Sequence, residues 1–93
     1  MRVLMTMEFD NDKASRVIQD KRLGELMQTV LKPLNPEAVY FATVHGHRGG
    51  IVVFDLQEPA QMPSVAEPLF QELGAEISIQ PAMTIDDVTR ALV

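Results

Sequence analysis

Two histidines spaced i, i+2 in "TVHGHRGGIVVF" (Thr43–Phe54) are the residues of this chain best suited to chemistry. On a continuing strand, His45 and His47 would aim both imidazoles to one side. Glu8 or Glu76 could then add an oxygen ligand for zinc or ferrous iron. Two histidines separated by Gly46 and lacking a fixed third ligand do not define such a site. No metal is therefore expected, and His45 and His47 are only its nearest candidates. Glu8 and His45 also make a candidate proton-transfer pair, because a carboxylate inside a closed cavity has its pKa raised toward neutrality. "HGHRGG" offers an anion Arg48 and backbone N–H groups, but it lacks the spacing of a phosphate loop and opens no helix. In the plainest reading the stretch is a solvated hairpin tip whose reversal is made by Gly49 and Gly50.

Other chemistries are absent. Without cysteine there are no disulfides, thiolate metal sites, iron–sulfur clusters or cysteine nucleophiles. "SVAEP" lacks the Gly-x-Ser-x-Gly elbow, so Ser64 is better read as a helix cap. The acidic "IDDV" suits the positive end of a helix. No cofactor motif occurs, and the methionines read as core and gap-filling residues. A net charge of −5, with scattered basic residues, one tyrosine and no tryptophan, argues against nucleic acid and against an anionic membrane surface.

The elements that must position these residues follow from periodicity. Val3, Met5, Met7 and Phe9 alternate with Arg2, Leu4, Thr6 and Glu8, which predicts a strand. Asp10 or Asn11 can cap a helix through Val17 and Ile18. The apolar stripe then slips across Asp20–Gly24 and resumes from Leu23 to Leu34, which predicts a kink or two short helices ended by Pro33 and Pro36. Ala38–Val44 and Gly50–Leu56 are strands joined by about five residues, a hairpin. Ser64-Val-Ala-Glu67 fits a capping box for a helix that Gly74 closes, with Pro68 at its fourth position. Ala75–Pro81 alternates as a fourth strand, and Thr84 caps a last helix through Leu92.

The order βαββαβ plus a terminal helix, with right-handed crossovers, gives an α+β ferredoxin-like fold. Its antiparallel four-stranded sheet has spatial order 4-1-3-2, with both main helices on one face. With 93 residues, 46% of them hydrophobic, residues 1–93 form one domain. No apolar run approaches the roughly 18 residues that span a bilayer. "MRVLMTMEFD" lacks the features of a signal peptide, so a cytoplasmic location is expected.

The sheet face away from the helices would carry Leu4, Thr6, Glu8, Val53, Ser78 and Gln80, with Arg2 beside Asp55 as an ion pair. The second strand adds either Tyr40, Ala42 and Val44 or Phe41, Thr43 and His45. Tyr40 thus either lines this face or packs beneath a helix. Such a face is too apolar for water and too polar for a dry core. Two copies facing one another would enclose a cavity of small-molecule size.

"NPEAVYF", "HRGGIVVFDLQEPAQMPSVAEPLF" and "PAMTIDDVTRAL" resemble a group of uncharacterised bacterial proteins of this length in the dimeric α/β-barrel superfamily. The resemblance implies a ferredoxin-like protomer and homodimerisation. That superfamily includes cofactor-independent monooxygenases, muconolactone isomerase-like enzymes, haem degraders that use a tryptophan this chain lacks, and plain ligand-binding members. The expectation is a homodimer that binds a small apolar or aromatic molecule between its sheets without a cofactor. A monooxygenase or isomerase and a non-enzymatic interaction module are the alternatives.

Overall fold

The computed structural model describes Met1–Val93. β1 (Arg2–Glu8) buries every second residue, as its alternation predicts. α1 (Asn11–Gln19) starts at Asp10, whose carboxylate accepts from the Lys13 N–H at 3.0 Å. α2 (Leu23–Leu31) is a separate helix. The break falls where the stripe slips, and Lys21 takes the left-handed conformation there (φ 59°). A short 3₁₀ turn, Lys32–Leu34, carries Pro33 and ends at Asn35, also left-handed. β2 (Ala38–Val44) and β3 (His47–Asp55) follow, then α3 (Gln61–Leu73), β4 (Glu76–Pro81) and α4 (Ile85–Leu92).

The strands form one antiparallel sheet in the order β2-β3-β1-β4, the predicted topology. Val3, Met5, Met7, Phe9, Val52 and Phe54 point to one side. There they meet Ala14 and Val17 of α1, Met27, Val30 and Leu31 of α2, and Val65, Leu69 and Leu73 of α3 in a single core. No polar or charged residue is buried in it.

Two local expectations are corrected. The hairpin turns at His45–Gly46, not at Gly49–Gly50: Val44 pairs with His47, and both central residues have positive φ (50° and 80°). That is the two-residue turn whose twist matches the flanking strands. Gly49 and Gly50 lie inside β3, and close backbone approach explains them. A Cβ on Gly49 would sit 2.3 Å from the Met7 carbonyl oxygen, and one on Gly50 2.8 Å from that of Tyr40.

α3, in turn, begins at Gln61, three residues before the proposed cap. The Gln61 side-chain oxygen accepts from the N–H groups of Gln57 and Glu58 (2.7 and 3.4 Å) and closes the preceding turn. Ser64 lies within the helix, with its hydroxyl directed to the Ala60 carbonyl at 3.5 Å. Pro63 falls in the first turn, where no amide donor is needed, but Pro68 is interior. An interior proline costs about 3 kcal/mol, and burial of Val65, Leu69 and Leu73 at about 1.5–3 kcal/mol each outweighs it. Gly74 closes α3 in the left-handed conformation (φ 54°), as predicted.

The glycines make a paired test. Gly49→Ala is expected to destabilise the protein by about 1–3 kcal/mol, the range for overpacking a tight site. Gly24→Ala, in α2 with open space around its Cα, should stabilise by about 0.4–1 kcal/mol. Urea midpoints of the two variants measure both; equal shifts would contradict the close-approach account of Gly49.

Candidate functional site

Strand register sets the uncovered face as three rows. Ala38, Val53, Leu4 and Gln80 form the first, Tyr40, Ile51, Thr6 and Ser78 the second, and Ala42, Gly49, Glu8 and Glu76 the third. All seven residues expected to line a cavity therefore share one face. The phase of β2 is also fixed: Tyr40 stands opposite Ile51 on this face, 69% exposed, while Phe41 faces the helix layer. None of the larger surface depressions lies on this face, so one chain presents it as a platform.

At the third row the chemistry concentrates. Gly49 stands opposite Glu8 and contributes no side chain, which leaves the Glu8 carboxylate free to reach toward the hairpin tip. His45 Nδ1 lies 3.2 Å from one Glu8 oxygen, and His47 Nδ1 lies 2.9 Å from the other. The carboxylate is mostly covered (20% exposed), whereas His45 is 84% and His47 49% exposed. The left-handed conformation of His45 in the turn carries its ring back over β1 to make this contact.

A single carboxylate thus holds two imidazoles, and their hydrogen bonds keep it ionised. The bond from His45 is the largest influence, with the charge of His45 and the bond and charge of His47 adding to it. Partial desolvation opposes them, and Glu8 lies below the ordinary carboxylate value of 4.5. The raised pKa expected of Glu8 belongs to a closed cavity; on the uncovered face of one chain the two imidazoles lower it instead. An imidazole that donates Nδ1–H to a carboxylate presents the Nε2 lone pair outward, the arrangement of a positioned general base.

His47 is the partner that sequence reading missed for this role. The available signal was Gly49, which leaves the diagonal from Glu8 to His47 unobstructed. No group of three or more His, Asp or Glu side chains is arranged to hold a metal ion. Glu76 shares with Glu8, Asp10 and His47 a depression of about 150 Å³ next to the cluster.

Two further side chains fall elsewhere than expected. Arg48 faces the helix layer and ties the hairpin to α1: its N–H meets the Asn11 side-chain oxygen at 3.1 Å, and Nη1 donates to the Asn11 carbonyl and the Ser15 hydroxyl. Arg2 stands opposite Asp55 in register, but its guanidinium pairs with Glu37 at 2.9 Å while Asp55 takes the terminal amine at 2.7 Å. The Arg2–Asp55 ion pair is therefore replaced by two exposed pairs.

Fold and site together define a ferredoxin-like α+β domain with one uncovered sheet face and a carboxylate–diimidazole cluster at one end of it. No protein-family model and no curated protein matches the chain. Among solved structures, the de novo designed protein Ferredog-Diesel is similar at 14% identity and a TM-score of 0.54, covering 87% of this chain and 85% of that one. The likeness is one of fold. Protein Atu4242 from Agrobacterium tumefaciens is 13% identical over 91% of this chain and 96% of that chain, at a TM-score of 0.42, too loose a likeness to bear on the fold. No helix is long and apolar enough to cross a membrane.

The Glu8 cluster has a direct titration test. A carboxylate whose folded-state pKa lies below its unfolded value contributes stability in full above the unfolded value, here about 4.5, and loses it as pH falls through the lowered one. Carboxyl-carbon NMR should place Glu8 below 4.5 in the native protein and return it upward in the His45→Ala/His47→Ala double variant. An unmoved Glu8 titration would remove the cluster.

Proposed function

We propose that the protein acts as a homodimer whose uncovered sheet faces oppose one another and hold a small apolar or aromatic molecule between them, as the resemblance to dimeric α/β-barrel proteins implies. The observation that carries this reading is the composition of the uncovered face. Leu4, Ile51, Val53 and Tyr40 lie among Thr6, Ser78 and Gln80, with every core-forming helix on the other side. Apolar side chains with a few convergent polar groups are what a small-molecule cavity requires, and a second sheet is what encloses one.

In this arrangement the Glu8–His45–His47 cluster stands at the cavity mouth. A histidine oriented through Nδ1 would accept a proton from a bound acidic C–H or O–H group at Nε2, with Glu8 stabilising the imidazolium that forms. No metal or cofactor is needed for that step. It supports an isomerase- or monooxygenase-like proton abstraction over a purely architectural role for the face.

Sedimentation velocity at micromolar concentration should report twice the 10.4 kDa chain mass. Val53→Asp, which places a charge among the apolar residues of the opposed faces, should weaken dimerisation by at least about tenfold while leaving the protomer folded. A thermal-shift screen of small aromatic compounds should give hits with the native dimer and none with Val53→Asp. A particle of single-chain mass would end the reading.

A further inference from the structure

We infer that α4 docks on the second copy, laying its apolar stripe into the groove between α2 and β2 of that copy. The inference deepens the dimer reading and rests on it. α4 is specified by its sequence as a helix: Thr84 and Asp87 form a reciprocal capping box (3.1 and 3.0 Å), and Asp86 and Asp87 occupy the positive end. Ile85, Val88 and Leu92 fall on one face, at 85%, 40% and 81% exposure, and no residue of the helix is buried. Eight residues are too few to sustain a helix in water by propensity alone. An apolar stripe of this kind forms against a partner surface, and its own chain buries none of the three residues.

The chain does present a surface of matching chemistry elsewhere. Beneath the edge strand β2, Met27, Leu31, Val39 and Phe41 line a groove of about 400 Å³, with Lys32 and Pro36 at its border. Phe41 is 56% exposed there, although it faces the helix layer. α1 and α2 leave this stretch of β2 uncovered.

Topology and charge single out this groove of a second copy as the occupant's seat. Leu4 pairs with both Val53 and Gln80, and Val53 pairs with Ala38, so the exit of β4 and the entry of β2 lie at the same end of the sheet, on opposite edges. Opposing two sheets about a two-fold axis along the strands puts each β4 edge beside the partner's β2 edge, with those ends together. α4 then leaves β4 next to the partner's groove, and the reciprocal contact forms by symmetry. Asp86 and Lys32, neither ion-paired within its own chain, would face each other at the rim.

The chain has no cysteine, so Ala91→Cys carries a single nitroxide on α4, beside its apolar stripe. Mixed with ¹⁵N-labelled native protein, it should broaden the amide signals of Val39 and Phe41 in the labelled copy. Lys32→Glu should raise the dimer dissociation constant about two- to fivefold, and adding Asp86→Lys should restore it. A dimer without intermolecular broadening at Val39 and Phe41 overturns the docking and leaves the dimer reading standing. Broadening confined to Leu4, Ile51 and Val53 of the spin-labelled chain itself, when that chain is the ¹⁵N-labelled one, shows α4 folded on its own sheet and overturns it too. So does a charge pair that fails to restore affinity. A particle of single-chain mass overturns both readings.

Discussion

Everything in this molecule follows from covering a four-stranded sheet on one side only. The core is gathered on the side of β1 that carries Val3, Met5 and Met7, where α1, α2 and α3 meet it. A chain of this length has helix enough for one layer. Because that layer is wholly apolar and the chain holds no buried charge, the polar groups of the sheet are driven to the other face. Glu8, Thr6, Ser78 and Gln80 sit there by exclusion from the core as much as by function. The mixed character of that face is the direct counterpart of a clean interior.

The sequence was most informative where one period dominated. β1, β2 and β4 show alternation or a β-branched run over nearly their whole length, and their boundaries came out within a residue or two. The break between α1 and α2 was legible as a slipped stripe. Two kinds of feature escaped. One was tertiary: Gly49 and Gly50 look like turn residues by type, and only the proximity of the Met7 and Tyr40 carbonyls reveals them as strand residues. The other was a competition between local motifs. The Ser64 capping box is a sound pattern, but Gln61 closes the earlier turn, and the buried face of α3 absorbs the cost of Pro68.

The candidate site was legible in part for the same reasons. Topology alone brings Glu8 to the hairpin tip, because β1 and β2 run in the same direction on either side of β3. The i, i+2 spacing brought His47 to the same side as His45, but its hydrogen bond to Glu8 and the lowered pKa of that carboxylate depend on side-chain geometry that no spacing rule encodes. The turn type matters here: a two-residue reversal places His45 directly over the end of β1, whereas a five-residue loop would have carried both imidazoles away into solvent.

The exposed edge at β2 has a consequence beyond ligand or partner. "AVYFATV" presents seven residues without a charge or a proline, with one side of their backbone N–H and C=O groups unpaired at the margin of the sheet. β4, the opposite edge, is guarded by Glu76 at its start and Pro81 at its end. Such asymmetry makes β2 the segment by which this chain would recruit others into cross-β aggregates whenever it stands uncovered. Solubility at high concentration is therefore set by how completely that one strand is shielded.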